Sequence, residues 1–175
     1  MKYLMIVMLS VLMLSCGAAV NTDFEKGTDF TKYKTYNYYP GIDSGLNQLD
    51  DKRVKYALDS LLRSRGYTMS STPDFVINFY AEEAISNSQS SIGIGVGGGG
   101  RNVGGGVSGG IPLGGPRLVQ IFTLDFVDTA EDKLVWQAVS EAKYREKATP
   151  EQREAYYLAI IQKILNKYPP KSKRR

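Results

Sequence analysis

Apolar residues along the chain follow two kinds of spacing, one typical of strands and one typical of helices. Runs rich in aromatic and β-branched residues predict four strands, at 29–39, 73–81, 118–128 and 133–142. Apolar residues three and four positions apart predict a helix over 47–65 and a second from Thr149 to Pro169. The predicted order of elements is therefore β-α-β-β-β-α.

Both predicted helices have recognisable ends. Gly66 follows the first helix, as expected where a helix stops in a left-handed conformation. The second helix begins with Thr149 as N-cap, Pro150 at the first helical position and Gln152 completing a capping box. These signals make the two helices the best-bounded elements of the prediction.

A single sheet with both helices on one face is the economical way to bury these apolar stripes. The nearly continuous apolar run at 73–81 predicts a central strand, and the polar residues 129–132 predict a hairpin between the last two strands. We therefore expect an α+β fold, a two-layer sandwich with a four-stranded, largely antiparallel sheet and two helices on one face.

The N-terminus has the pattern of a secretory signal peptide. Lys2 precedes an uncharged segment from Tyr3 to Ser15, and small residues follow it. This segment is shorter than the roughly 20 apolar residues that span a bilayer. Residues 12–17 resemble the bacterial lipobox, which is cut before a cysteine whose sulfur is acylated. An ordinary secretory signal that contains a cysteine by chance is the alternative.

The lipobox resemblance predicts how the mature chain is divided and where it resides. We expect a removed signal peptide at 1–15, a lipidated tether at 16–28 and a basic tail at 171–175. Between them, 29–170 form a single domain. Palmitate on Cys16 would attach the protein to a membrane. Because Gly17 is not the aspartate that retains lipoproteins in the inner membrane of some bacteria, we expect an outer-membrane lipoprotein facing the periplasm.

A glycine-rich insertion at 86–116 interrupts the predicted sheet. It lacks the Gly-Lys-Ser/Thr ending of a P-loop, and no helical period follows its glycines, so both nucleotide-binding interpretations fail. One interpretation is a flexible loop, because glycine is costly to order. The other is an extension of the hairpin beyond the domain, in which Ile92, Ile94 and Val96 share one edge.

Composition excludes several kinds of chemistry. With Lys2 removed, 21 basic residues face 18 acidic ones, and a net charge of +3 is too small to predict binding to nucleic acid. The chain has no histidine, and its only cysteine, Cys16, would carry lipid. We therefore expect no catalytic residues, no metal site and no cofactor.

Carboxylates are the remaining candidates for chemistry. Asp125 and Asp128 are three apart on a predicted strand and should point to opposite faces, which does not suit a shared role. The adjacent Glu82 and Glu83 could contribute to a cation site. The acids of the hairpin turn, Glu131 and Asp132, are typical of turn chemistry.

Several short motifs occur in a defined order along the chain: the lipobox, Asp29-Phe30, Lys34-Thr35-Tyr36, Arg65-Gly66-Tyr67, Pro73-Asp74-Phe75, Leu124 to Asp128, Lys133-Leu134-Val135-Trp136 and Tyr168-Pro169-Pro170. This order resembles an uncharacterised family of bacterial lipoproteins, domain of unknown function 4136. The resemblance implies an envelope location and an α+β domain. It implies no activity, so it supplies no functional residues.

The functional expectation is a non-enzymatic envelope lipoprotein, attached to the membrane through Cys16, that binds another envelope component. A structural or stress-related surface lipoprotein without a fixed partner is the alternative. A hydrolase that uses carboxylates alone is the third possibility. The sequence names no ligand and no partner.

Overall fold

The computed structural model describes residues 18–86, 90–92, 111–113 and 117–171. The predicted signal peptide, Cys16 and most of the basic tail lie outside these residues, as does most of the glycine-rich insertion. The described elements, in chain order, are β1 (Ala19–Phe24), a 3₁₀ turn (Phe30–Lys32), β2 (Thr35–Tyr38), α1 (Gln48–Ser64), β3 (Thr68–Met69), β4 (Phe75–Ser86), β5 (Ser90–Ile92), β6 (Ile111–Leu113), β7 (Arg117–Asp128), β8 (Lys133–Lys143) and α2 (Pro150–Leu165).

The main sheet has six strands in the order β1-β8-β7-β4-β2-β3. The pairs β1–β8, β8–β7 and β7–β4 are antiparallel, whereas β2 runs parallel to both β4 and β3. The expected four-stranded, largely antiparallel sheet is therefore wrong, although the fold is α+β.

The parallel pairing follows from the helix between β2 and β4. A helical crossover returns the chain to the end of the sheet at which the first strand began, so the next neighbouring strand runs in the same direction. Tyr36 pairs with Phe75 and Tyr38 with Ile77 in this arrangement. The predicted order of strand, helix and strand already contained this crossover. The edge strand β3 has only two residues and is too short for a periodic pattern.

The edge strand β1 lies in the segment that we expected to be a tether. It pairs antiparallel with β8 over six residues, from Ala19 opposite Glu141 to Phe24 opposite Trp136. Most of its side chains are exposed. Val20 is partly buried and is the only residue of β1 that packs against the core. Because one face and one edge of this strand meet solvent, its polar sequence lacks the apolar alternation of an inner strand.

The predicted central strand and hairpin are confirmed. β4 lies inside the sheet, between β7 and β2, and forms twelve consecutive pairs with β7, from Phe75 opposite Asp128 to Ser86 opposite Arg117. β7 and β8 form the hairpin, with a bulge between Phe126 and Val127. With twelve residues each, β4 and β7 are the longest of the described strands.

The predicted stop of α1 and the predicted start of α2 are confirmed. Gly66 follows α1 with a φ of 87°, and Thr149 and Gln152 form the capping box of α2. Asn47 caps α1 by accepting hydrogen bonds from the backbone of Leu49 and Asp50, and α2 ends at Leu165, before the predicted stop at Pro169. The helices pack against each other and against the sheet.

One hydrophobic core joins the sheet to both helices. Alternate residues of β4 and β7 face it, including Ile77, Phe79, Leu124 and Phe126. The helices contribute apolar residues from one stripe each: Val54, Ala57, Leu58 and Leu62 from α1, and Tyr157, Ile160, Ile161, Ile164 and Leu165 from α2. The opposite side of the sheet, which we call the open face, carries the intervening side chains.

A separate two-stranded ladder lies within the glycine-rich insertion. Ser90 pairs with Leu113 and Ile92 with Ile111, antiparallel. Such pairing is what the hairpin interpretation expects of these residues. The choice between hairpin and loop for 93–110 lies outside the described residues.

The docking of β1 can be tested with two neighbouring substitutions. Val20→Asp places a charge against the core and should lower the free energy of unfolding of the soluble domain by about 2 kcal/mol or more. Asn21→Asp, on the exposed side of the same strand, should change it by less than about 0.5 kcal/mol. Denaturant titration followed by circular dichroism measures the free energy of unfolding of both variants. Equal values for Val20→Asp and Asn21→Asp would indicate that this segment is a loose tether.

Candidate functional site

Residues from five of the sequence motifs meet around one tyrosine at the C-terminal end of the fold. The ring centroid of Tyr168 lies 4.8–6.4 Å from those of five other aromatic residues: Phe30, Tyr67, Phe75, Phe126 and Trp136. We call these six residues the Tyr168 cluster. Tyr168 is buried in the core. The aromatic residues that carry the family resemblance therefore pack the fold together.

The polar residues of the same motifs also hold elements in place. The Arg65 guanidinium donates hydrogen bonds to the carbonyl oxygen of Leu165 and, at 2.8 Å, to Oδ1 of Asn166 at the end of α2. Asp74 Oδ2 accepts from the backbone amides of Lys34 and Thr35 at 2.8 Å each, and these bonds lower its pKa. Arg65 thus ties α1 to α2, and Asp74 ties β4 to β2.

Asp128 is a buried carboxylate, 2% exposed, at the end of β7. Its Oδ2 accepts from the Tyr33 hydroxyl at 2.8 Å and from Lys32 Nζ at 2.7 Å. Its Oδ1 accepts from the backbone amides of Ala130 and Glu131 at 2.8 and 3.0 Å. Burial favours a higher pKa for Asp128, but these bonds outweigh it and lower the pKa to about 2.

The arrangement around Asp128 is structural. Each carboxylate oxygen already accepts two hydrogen bonds, and the four donors come from the hairpin turn and the 3₁₀ turn. Burial and the bond to Asp128 raise the pKa of Tyr33 to about 12, so the phenol stays protonated and remains a donor. Asp128 therefore joins the β7–β8 turn to the N-terminal segment.

A polar cleft of about 290 Å³ opens beside this carboxylate. We call it the distal cleft; it is lined by 25–29, Lys32, Asp128, Glu131 and Lys133 among others. Opposite charges pair along its wall, since Lys32 bonds Asp128 and Lys133 Nζ lies 3.3 Å from Glu25 Oε2. Charges that neutralise one another give the cleft little attraction for an ionic ligand.

Asp125 lies on the open face, between two amide side chains. Its Oδ1 accepts a hydrogen bond from Gln137 Nε2 at 2.8 Å, and the side chain of Asn78 interacts with it from the other neighbouring strand. Partial burial raises the pKa of Asp125 above its usual value, and the two amides oppose that shift. The half-exposed Tyr80 is the next open-face residue along β4 from Asn78.

The predicted separation of Asp125 from Asp128 is confirmed, because one bonds open-face amides and the other bonds the buried Tyr33. Glu82 and Glu83 are consecutive residues of β4, opposite Ile121 and Gln120, so their side chains alternate across the sheet. Within the described residues, no group of three His, Cys, Asp or Glu side chains could hold a metal ion.

A buried ion pair between the helices was missed from the sequence. Asp50, 1% exposed, accepts from Arg53 Nη1 at 2.7 Å and from Arg153 Nη1 at 3.0 Å. Arg153 also donates to the Tyr144 hydroxyl. In the sequence Asp50 is an acid in a first helical turn, which is also typical of an exposed position. The position of Arg153, 103 residues away, gave no signal of the pairing.

Next to Arg153 lies a second cleft of about 370 Å³, at the start of α2. Its lining combines two aromatic rings, Tyr144 and Tyr156, with the chain around Lys143 and Arg145. The two rings lie edge to face, 5.8 Å apart. Because β8 ends at Lys143, this cleft is at the opposite end of the sheet from the distal cleft.

Comparison with protein families identifies the class of this chain. Residues 20–170 match the family described as Domain of unknown function (DUF4136). The chain belongs to this family, as its motif order had predicted. The match begins inside β1. Comparison with curated proteins gives no match.

The solved structures that match this chain are distant from it in sequence. A PDZ domain protein from Parabacteroides distasonis matches with a TM-score of 0.58 and 14% identity, over 91% of this chain. This chain spans 38% of the length of that protein. Two crystal forms of the PelC dodecamer from Paraburkholderia phytofirmans match with TM-scores of 0.45 and 0.44 and 12% identity, over 85% of this chain and 94% of theirs. The first likeness concerns the fold alone.

The two aspartates of β7 should affect stability with opposite pH dependence. Asp128 has a lowered pKa, so its stabilising effect is present above the ordinary value of 3.8 and is lost as the pH falls towards 2. Asp128→Asn should therefore lower the free energy of unfolding by about 2 kcal/mol at pH 7. The difference from the wild type should disappear in acid.

Asp125 is the matched control, since its pKa is raised. Its stabilising effect is present below 3.8 and is lost as the pH rises through the raised pKa. Asp125→Asn should be more stable than the wild type at pH 7, with the advantage disappearing in acid. Urea titrations across this pH range measure both variants. The same sign of pH dependence in both would contradict the assignment of the two environments.

Proposed function

We propose that this protein is a membrane-anchored envelope lipoprotein, acylated at Cys16, whose domain is a non-enzymatic binding or accessory module in the periplasm. The observation that carries the proposal is the position of the lipobox directly before the domain. Only Gly17 and Ala18 separate Cys16 from β1. Within the described residues no helix has the length and apolar character needed to cross a membrane. An N-terminal lipid is the attachment that fits this chain.

A binding role agrees better than catalysis with the use of the polar residues. Asp128, Asp74 and Asp50 each accept several hydrogen bonds or ion pairs that join elements of the fold. Acid–base catalysis by a pair of carboxyl groups needs both groups, with different pKa values, on the same substrate. Asp125 and Asp128 have such pKa values, but they lie on opposite faces of the sheet.

The open face is the surface that we assign to the partner. The helices leave this face uncovered. It carries a carboxyl group that lies between two side-chain amides, and it also carries a tyrosine. Aromatic residues beside hydrogen-bonding groups are typical of protein interfaces. The partner with matching chemistry is therefore another envelope protein that offers hydrogen-bond donors and acceptors.

Cys16→Ser should abolish both acylation and membrane association. In cells grown with labelled palmitate, the wild type should carry label and sediment with the envelope, whereas the variant should do neither. Ala18→Ser, two residues away, should behave as the wild type. Equal labelling of the wild type and Cys16→Ser would contradict the proposed anchor.

The partner is testable with a photo-crosslinking amino acid placed at single sites in intact cells. At Tyr80, on the open face, we expect one recurrent crosslinked envelope protein, identified by mass spectrometry. Tyr56 is the control, since it is an exposed tyrosine on α1, on the other side of the molecule. Crosslinks from neither site would favour a lipoprotein without a fixed partner. Crosslinks from Tyr56 alone would reject the open face.

A further inference from the structure

The distance between the lipid and the sheet is limited by the chain that joins them. Consecutive Cα atoms are 3.8 Å apart, so three peptide bonds place the Cα of Ala19 within about 11 Å of that of Cys16. β1 is held in the sheet by six pairs with β8. The short connection therefore attaches the lipid to a fixed point of the domain. It leaves the domain little freedom to turn relative to the lipid.

The register of the strands defines which end of the sheet this point belongs to. Ala19 is opposite Glu141, two residues before β8 ends at Lys143. Lys143 is opposite Val119. Ser86 is opposite Arg117 at the same end of the sheet, where β4 leads into the glycine-rich insertion. We call this the proximal end. β1 and β7 begin here, and β4 and β8 finish here.

We infer that the proximal end lies directly against the lipid headgroups, so that the domain has one fixed polarity on the membrane. The inference rests on the proposed acylation of Cys16. A headgroup layer is about 5–8 Å thick on each side of the hydrocarbon core. A lipid-bearing residue within about 11 Å of Ala19 therefore holds this end of the sheet inside the layer or within a few ångströms of it.

The side chains at the proximal end suit contact with a bilayer surface. Ile85, one residue before β4 ends, is 69% exposed, although it is a large apolar side chain. Headgroups and upper acyl chains would remove it from water. The exposed charges at this end have both signs: Arg117, Lys143, Arg145, Glu83, Glu141 and Glu146. The contact therefore depends on the reach of the chain, with Ile85 as an added apolar contact that is not essential, and an excess of anionic lipid is unnecessary.

The opposite end of the sheet points away from the membrane. β7 has twelve residues, which at about 3.4 Å per residue separate its two ends by about 35–40 Å. The β7–β8 turn, Asp128 and the distal cleft lie at that far end. The open face, with Asp125 three residues before the far end of β7, then stands upright on the membrane and is accessible from the side.

Single fluorophores can locate both ends. The acylated Cys16 has no free thiol, so Ile85→Cys and Ala130→Cys each provide one labelling site in the full mature lipoprotein. The labelled proteins are reconstituted into phosphatidylethanolamine–phosphatidylglycerol vesicles that contain headgroup-proximal spin-labelled lipid. We expect strong quenching at position 85 and little at position 130. Equal quenching at both, or stronger quenching at 130, would overturn the inference.

Vesicle flotation separates this inference from the proposed anchor. Protein that floats with vesicles but is quenched at neither position would retain the anchor and refute the orientation. Protein that fails to float would refute the anchor itself.

Inserting a Gly/Ser linker of about 20 residues between Gly17 and Ala18 adds a reach of about 25 Å. It should abolish most quenching at position 85 while flotation is unchanged. The same linker added after Lys171 should leave quenching at 85 as in the unextended protein. Undiminished quenching with the N-terminal linker would show that the chain length does not hold the end in place.

Discussion

The packing of Tyr168 against five aromatic rings is the interaction on which the architecture depends. Through it the residue that follows the last helix contacts β4, β7, β8 and the 3₁₀ turn. Aromatic pairs of this kind stabilise a core by about 0.5–1.5 kcal/mol each beyond the burial of their area. Arg65 secures the same region by donating hydrogen bonds to the carbonyl oxygens of Leu165 and Tyr168. The 3₁₀ turn near the N-terminus of the domain and the residues that follow α2 are thus held together in the Tyr168 cluster.

Local signals in the sequence predicted what depends on neighbouring residues. The cap at Thr149, the stop at Gly66 and the β7–β8 hairpin are all set within a few positions of the chain. The edge strand β1 was missed because it pairs with residues more than 110 positions away and carries polar side chains on its exposed face. The Asp50–Arg153 ion pair was missed for the same reason. Long-range pairing leaves no periodic pattern in one sequence.

The candidate carboxylates illustrate how far residue types can lead. Alternation along a strand was enough to separate Asp125 from Asp128. It could not predict that Tyr33 and Lys32 would reach Asp128 or that Gln137 would reach Asp125, because those contacts depend on the sheet order. Once the order is known, Asp128 is one of the acids that hold the fold together, whereas Asp125 lies on the open face.

The pairing of the first strand with the last has a consequence for how the protein matures. β1 leaves the ribosome before any other part of the sheet, and β8 follows more than a hundred residues later. The first segment of the domain therefore has no pairing partner until β8 has been synthesised. With the proposed acylation of Cys16, signal cleavage and lipid attachment would take place beside a strand that is not yet held in the sheet. Pairing with β8 would then fix the distance between the sheet and the membrane.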